Sequence, residues 1–499
     1  MNFQNTKWVK HPKILEINTW VWLESLSQQY GEIITFDSIP DDIIDEELSL
    51  FDVIWFMGVW ERSPASKKIA LEHPDLQQEY HRILNDYREE DVVGSPYAVH
   101  EYHVDKNIGG IDALKNVKKR LTERNIRIIL DYVPNHVSID HPWVLEDPNI
   151  FIKGDLEDIN SHPKQFFKVN NQIFAHGLDP YFFDSPWTDT IQINAFSKEA
   201  RQKTIETLLN IAELSDGVRC DMAMLMTNDV FRRTWGERAG LVPKNEFWSD
   251  VIPTLKSNFP NFSFIAEVYW DMEWELQQQG FDFCYDKRLY ERLTYENAST
   301  IKDHLKAELD YQSKLVRFIE NHDELRAVEN LGEDRSRAAA VIALTLPGAR
   351  LVYEGQTNGY KIRLPVQLRR RPSEEKNKKL HKFYHDLLKS MPSIIFENAN
   401  WSLCENQPVK FEDSSNTNII SYLWKSSEFF RLIVVNFSPF PSRAYITSEK
   451  LNYGENIWIF TDLLNQRDFR YSGEDLSKFG LYVELSGWNA HIFNIKKYE

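Results

Sequence analysis

Up to residue 391 the apolar positions of the chain fall into two alternating patterns. Short runs that are almost continuously apolar occur at 15–23 (LEINTWVWL), 51–58 (FDVIWFMG), 126–133 (IRIILDYV), 216–221 (DGVRCD), 262–269 (FSFIAEVY), 315–321 (LVRFIEN) and 349–355 (ARLVYEG). Runs of this length and composition predict strands buried on both faces. Between them, apolar residues recur at helical spacing. The segment 111–125 puts Ile111, Leu114, Val117 and Leu121 on one face, and 197–214 opens with Ser197 as an N-cap before Ile205, Leu208, Leu209 and Ala212. Strands alternating with crossover helices predict a parallel sheet; in the expected (β/α)₈ barrel form of such a sheet the C-terminal strand ends share one face, where active sites gather.

The pattern breaks in three places. Residues 137–190 are rich in Pro, Asp, Asn and aromatics and predict a small inserted subdomain; 60–96 form a second departure. After the amphipathic KKLHKFYHDLLKSM at 378–391, short runs such as NIISYLWK, FFRLIVVNF and IWIFTDLL are separated by turns, as in an antiparallel β-sandwich. The expected organisation is a catalytic barrel over 1–391 and a C-terminal β-sandwich over 392–499.

Composition narrows the function. With 499 residues, 42% hydrophobic and 27% charged, the chain is globular, and a net charge of −17 argues against a nucleic-acid surface. A neutral sugar is indifferent to that charge. Cys220, Cys284 and Cys404 are too scattered for a disulfide framework or a zinc site, which favours reduced thiols. No run approaches the ~20 apolar residues of a membrane span, and the N-terminus lacks a secretory pattern, so a cytoplasmic location is expected.

The chemistry lies where the apolar runs end: DYVPNH at 131–136, GVRCD at 217–221, FIAEVYW at 264–270 and FIENHD at 318–323. Retaining glycosyl transfer needs two carboxyl groups about 5–5.5 Å apart, one ionised to attack and one protonated to release the leaving oxygen. Residues 219 and 221 share one side of an extended strand, so the Arg219 charge would favour an ionised Asp221. Glu267 closes an apolar strand, where desolvation would favour its protonated form. Asp323 could oppose the positive charge of an oxocarbenium-like transition state.

The ordered set DYVPNH, GVRCD, AEVYW and ENHDE resembles the four motif regions of the α-amylase family, glycoside hydrolase family 13, and SPYAVHEYHVDKNIGGIDALKNVKKR resembles the segment before the first of them. The resemblance implies Asp221 as nucleophile, Glu267 as acid/base and Asp323 as transition-state stabiliser. It implies Arg219, His136 and His322 as ligands of the cleaved sugar, Tyr97 as its stacking platform, and Asp131 and Asn135 as structural positions. No cofactor is required; calcium is an optional ion, since in some relatives the Asn at position 135 helps bind it. Trp270, three residues after Glu267, is a further candidate for stacking on substrate. Two departures bear on specificity. Met224 and Leu225 stand where many starch-cleaving relatives carry Lys-His, which points to a more apolar leaving-group side. Gly94 stands where relatives specialised for terminal glucose have Asp.

The flanking residues carry plainer expectations: Cys220 packs in the core, His141 caps or lies at the surface, and Glu61 with Arg62 forms an ion pair. The expected function is an α-retaining glycoside hydrolase acting on soluble α-glucosides. A transglycosidase, isomerase or sugar phosphorylase shares its first half-reaction, and a catalytically silent binding subunit is the rival from another class.

Overall fold

The computed structural model describes residues 7–182, 185–427, 429–450 and 453–498. Eight parallel strands close a barrel: β1 (Lys13–Asn18), β2 (Val53–Met57), β3 (Arg127–Tyr132), β4 (Gly217–Cys220), β5 (Ser263–Ala266), β6 (Phe283–Tyr285), β7 (Leu315–Arg317) and β8 (Ala349–Tyr353). Their order around the barrel is β1-β8-β7-β6-β5-β4-β3-β2. Every residue of β2 and β3 is buried, as a parallel sheet covered on both faces requires.

Two expectations are corrected here. The run 15–23 is strand only to Asn18; Thr19–Tyr30 is a helix whose first turn is buried all round, Trp20, Val21, Trp22 and Leu23 included. An unbroken apolar run is compatible with either element, and here the helix has a core face to fill. Strand β6, only three residues long, gave no separate apolar run in the sequence.

The chain divides into two compact units. The first comprises Trp8, Leu15–Tyr285 and Leu364–Ser373. Within it, the excursion after β3 is closed by pairing of His136–Ser138 with Thr190–Gln192 and contains the hairpin Phe166–Val169/Gln172–Ala175. Val137, Val144, Ile150, Phe151, Phe174, Ile191 and Ile193 form its own apolar core. Phe183 and Asp184, within the predicted inserted stretch, lie outside the described residues. The helix Lys198–Leu214 begins as predicted, with Ser197 Oγ accepting the Ala200 amide.

The second unit comprises Val9–Ile14, Asp286–Arg363 and the residues from Glu374 onward. Its C-terminal part holds β9 (Asn400–Leu403), β10 (Glu405–Gln407), β11 (Ile419–Lys425), β12 (Phe430–Asn436), β13 (Ser442–Thr447), β14 (Ile457–Asp462), β15 (Arg467–Ser472), β16 (Leu481–Leu485) and β17 (Ala490–Lys497). They make a six-stranded sheet, β9-β11-β12-β17-β14-β15, and a three-stranded sheet, β10-β13-β16. Ile419, Leu423, Leu432, Val434, Ile446, Val483 and Phe493 pack into a shared core, and the pairing is antiparallel throughout.

Candidate active site

Strand β4 lies between β3 and β5, with Arg219 level with Asp131 on one side and Ile265 on the other, and Cys220 level with Ala266. The next residues, Asp221 and Glu267, therefore leave adjacent strands side by side. Arg219, only 1% exposed, joins them. Its Nη1 donates to Asp221 Oδ1 at 2.8 Å, and its Nη2 lies 2.8 Å from Glu267 Oε2. The second contact is an ion pair in distance but is not aligned as a hydrogen bond. Asp131 Oδ1 stands 3.8 Å from Nη1.

Burial opposes the charge of Arg219, but Glu267, Tyr97, Tyr285 and Asp221 around it raise its pKa well above the ordinary arginine value. Three aromatic rings complete the enclosure: the guanidinium carbon lies 5.2 Å from the Tyr97 ring, 5.3 Å from Trp55 and 5.8 Å from Tyr285. A guanidinium is flat and delocalised, so it can stack on rings while its edge meets two carboxylates. A lysine could not do both.

Glu267, 3% exposed, has two further partners. The Met222 amide donates to Oε2 at 2.7 Å and the Tyr269 hydroxyl to Oε1 at 2.7 Å. Met222 can do this because its backbone is left-handed (φ 44°, ψ 45°), which turns the chain sharply after Asp221. That conformation costs a non-glycine residue roughly 1–2 kcal/mol. The same turn carries Ala223, Met224, Leu225 and Met226 into the interior. Met224 and Leu225 are therefore enclosed by protein, and the apolar leaving-group surface expected from them is not a surface. Cys220 is fully buried, and burial pushes its thiol pKa far up, consistent with packing alone.

His136 is buried and hydrogen-bonded to the Tyr97 backbone; burial lowers its pKa to about 3 against that bond. Its ring lies 5.0 Å from that of Trp187. Tyr97 and His136 thus belong to the Arg219 neighbourhood. Trp270 is half-buried and packs on Tyr181 of the excursion at 4.6 Å between ring centres. Trp270 and Asp271 both have positive φ (64° and 61°), a backbone strain that collects at functional sites.

In the second unit, His322 and Asp323 follow β7. Asp323 stands out because its side chain is 43% exposed while His322 is buried, and His322 Nε2 lies 3.1 Å from Asp323 Oδ2. Asn321 Oδ1 accepts the amides of Asp323 and Glu324, fixing the turn, and Arg363 Nη1 donates to the Asp323 carbonyl.

Sequence reasoning missed Tyr269, Trp55, Tyr285 and Asp179. Tyr269 had a signal, since residues 267 and 269 share one side of an extended chain. Asp179 lies in the excursion; burial raises its pKa, opposed by the Tyr181 amide and helped by the charge of Glu267.

Other flanking positions are also corrected. Arg62 does not pair with Glu61; its Nη1 donates to the carbonyls of Gly94 and Val366. Gly94 has φ +90°, and a Cβ there would sit 3.1 Å from the Lys67 amide nitrogen, so backbone geometry explains why no aspartate stands there. His141 is buried and accepts the Trp143 amide, so it caps but is not at the surface.

Asn135 Oδ1 accepts from Gln192 Nε2, and its Nδ2 donates to Gln192 Oε1. Among the described residues, the cluster Glu61, Glu101 and His103 brings three candidate ligand atoms within 4.8 Å of one another. Its histidine nitrogen suits a transition metal better than calcium.

A parallel barrel with charged residues at its strand ends defines the class of α/β-barrel proteins that build active sites on that rim. A family model described as "Alpha amylase, catalytic domain" matches residues 66–204. Alpha-amylase 3 of Dictyoglomus thermophilum is 24% identical over 288 residues, 54% of this chain and 55% of that protein. The alpha-1,4-glucan:maltose-1-phosphate maltosyltransferase of Picrophilus torridus is 22% identical over 81% of this chain and 60% of its own length. The chain spans about half the length of the first curated relatives it matches, 55% and 44%. In fold it is similar to a maltogenic alpha-amylase from Thermotoga neapolitana, with a TM-score of 0.66 at 19% identity, covering 98% of this chain and all of that one. Isomaltulose synthase from Klebsiella gives a TM-score of 0.65 at 15% identity over 99% of this chain and 100% of that one. Residues 66–204 are thus similar in sequence to the α-amylase catalytic domain, and the chain is similar in fold to α-amylases.

Proposed function

We propose that the protein is an α-retaining glycosidase acting on α-glucosidic bonds of soluble oligosaccharides. The observation that carries this reading is the single Arg219 guanidinium paired with both Asp221 and Glu267. In the first step Asp221 attacks the anomeric carbon while Glu267 gives its proton to the departing glycosidic oxygen, leaving a covalent glycosyl-enzyme. In the second step Glu267, now a carboxylate, takes a proton from water as its oxygen attacks the anomeric carbon and Asp221 departs. Asp323, the exposed carboxylate after β7, opposes the positive charge of both transition states. Tyr97, His136, Arg219, His322 and Trp270 hold the sugar.

A second reading, transfer to an acceptor other than water, is favoured by one observation. The maltosyltransferase relative matches 81% of the chain, against 54% for Alpha-amylase 3. The half-reaction on Asp221 is the same in both readings. For location, a cytoplasmic site is supported by three free cysteines, two of them buried; no helix among the described residues is long and apolar enough to cross a membrane.

The test is time-resolved proton NMR of the protein with α-linked di- and oligosaccharides, with and without phosphate, beside Asp221→Asn. An α-configured first product, absent in the variant, supports the mechanism, and the identity of that product separates hydrolysis from transfer. A β-configured first product would overturn it.

A further inference from the structure

Tyr97, whose ring lies 5.2 Å from the Arg219 guanidinium carbon, sits on the irregular segment Gly94–Tyr97 between β2 and β3 in the first unit. Outside the strand ladder, such a segment is held only by individual bonds to its backbone groups. Three of them are short-range in character: Ser66 Oγ accepts the Ser95 amide at 3.2 Å, Ser95 Oγ accepts the Tyr97 amide at 3.2 Å, and His136 is bonded to the Tyr97 backbone. The fourth comes from a cation.

Arg62 Nη1 donates to the Gly94 carbonyl at 2.6 Å and to the Val366 carbonyl at 3.0 Å. Val366 belongs to the stretch Leu364–Ser373, which runs beside residues 92 and 93: Leu368 bridges Val92, and the Val93 amide donates to the Gln367 carbonyl at 2.8 Å. Arg62 therefore closes this pairing at the point where the chain turns toward Tyr97.

Two features mark Arg62 out. Its Nε and Nη2 are buried and have no hydrogen-bond partner among the described residues, and its guanidinium carbon lies 5.4 Å from the centre of the Trp20 ring. Burial pulls its pKa down to about 10, against the opposing influence of Asp105, Tyr97 and Asp131, so it is still a cation at neutral pH. Burying a cation on carbonyls and a ring alone is costly and calls for an explanation. The second feature is Gly58, at the end of β2, with φ +74°: a Cβ there would lie 3.0 Å from Arg62 Nη2 and 3.0 Å from Pro96 Cβ. The guanidinium and the residue before Tyr97 thus share the space that Gly58 leaves open.

We propose that Arg62 is a positioning residue of the sugar site, acting through Tyr97 by fixing Gly94 and Pro96 so that the Tyr97 ring is held ready to stack on the cleaved sugar. The proposal rests on the carbohydrate reading of the protein. Arg62 itself touches no substrate. A lysine at this position is one bond shorter, so its ammonium falls short of one of the two carbonyls and cannot lie flat on Trp20.

The test is a double-mutant cycle on the full chain, with kcat/KM for an α-linked maltoside and the unfolding midpoint measured for the parent, Arg62→Lys, Tyr97→Ala and the double variant. Arg62→Lys is expected to lower kcat/KM about tenfold, inside the ~10²-fold that a misplacement of about 1 Å can cost. Once Tyr97→Ala is present, the same change should cost less than about twofold, because the ring it positions is gone. Loss by the same factor in both backgrounds is the mark of a merely structural arginine and overturns the proposal, as does an Arg62→Lys variant with the parent's kcat/KM. If Arg62→Lys does not fold, Arg62→Gln goes through the same cycle with the same outcomes. Tyr97→Ala with the parent's kcat/KM removes Tyr97 from the sugar site, and a parent that turns over no α-glucoside overturns the carbohydrate reading; either result takes this role of Arg62 with it.

Discussion

Replacing Arg219 by lysine keeps a positive charge in the same place and removes the fork. The structure gives the consequence a size. Arg219 touches Asp221 and Glu267 at 2.8 Å each and is enclosed by Tyr97, Trp55 and Tyr285. An ammonium can satisfy one of the two carboxylates, so one ion pair is lost in a water-excluded place. Loss of one preorganised electrostatic contact of this kind costs about 2.7–4 kcal/mol in the transition state. The kcat of Arg219→Lys on an α-linked maltoside is therefore expected to fall about 10²–10³-fold. Arg219→Ala removes both pairs and leaves two buried carboxylates facing each other, a change that costs stability on the order of 3–5 kcal/mol. Steady-state rates measured beside thermal unfolding midpoints separate the two effects. The lysine variant should keep most of the midpoint and lose the rate; the alanine variant should lose both. A lysine variant with the parent's kcat would refute the argument that one guanidinium must serve both carboxylates.

Tyr269→Phe removes the hydroxyl that donates to Glu267 Oε1; a hydrogen bond to a charged group is worth about 1.5–3 kcal/mol, so single-turnover rates should drop roughly 10–100-fold with the fold intact. An unchanged rate would detach Tyr269 from the chemistry. Asp323→Asn should abolish most turnover while leaving the unfolding midpoint within error, because the side chain is 43% exposed and its charge is not part of the buried network; a large loss of stability would argue for a structural role instead. His11, His136 and His141 have pKa values lowered by burial from 6.5 to about 3. Below pH 6.5 the unfolded chain takes up protons that the folded chain refuses until about pH 3. Stability is thus fully present above pH 6.5 and falls with pH, by about 2 kcal/mol per histidine between pH 7 and 5. Denaturant unfolding of the parent and of His141→Gln at both pH values checks this; a parent equally stable at pH 7 and pH 5 would contradict it.

Most of the fold was legible because buried parallel strands and amphipathic helices leave different periods in the sequence. Six of the observed barrel strands, β2 to β5, β7 and β8, fall inside predicted apolar runs with frayed ends trimmed. The failures have physical causes. At Thr19–Leu23 an apolar run continues past the strand into a helix whose buried face is equally apolar, so periodicity cannot mark the boundary. Strand β6 is three residues long, and the aspartates Asp282 and Asp286 that bracket it mask it as a turn. Those aspartates are themselves working parts: Asp282 Oδ2 accepts the Phe264 amide, and Asp286 caps the helix after β6 through the Leu289 amide.

The site was legible in its members and not in its wiring. The alternation of side chains along a strand placed Arg219 beside Asp221, because that relation is local. Its second relation, to Glu267, depends on the register between β4 and β5, where Cys220 stands opposite Ala266. A slip of one residue would turn Glu267 to the other face and leave Arg219 with one partner. Glu267 was therefore read as a carboxyl set apart by an apolar strand, when it shares its cation with Asp221 and also holds the Met222 amide and the Tyr269 hydroxyl. Tyr285 was missed for the same reason, since it comes from the strand that the sequence hid. Residue types announce that acid–base chemistry is present, but the division of labour between two carboxylates is set by which neighbours the register brings to each. In this chain the register is carried by the backbone, Glu267 N–H donating to the Cys220 carbonyl and Ala223 N–H to the Glu267 carbonyl, and the left-handed turn at Met222 between them sends its amide to the Glu267 carboxylate and Met224 to Met226 into the core.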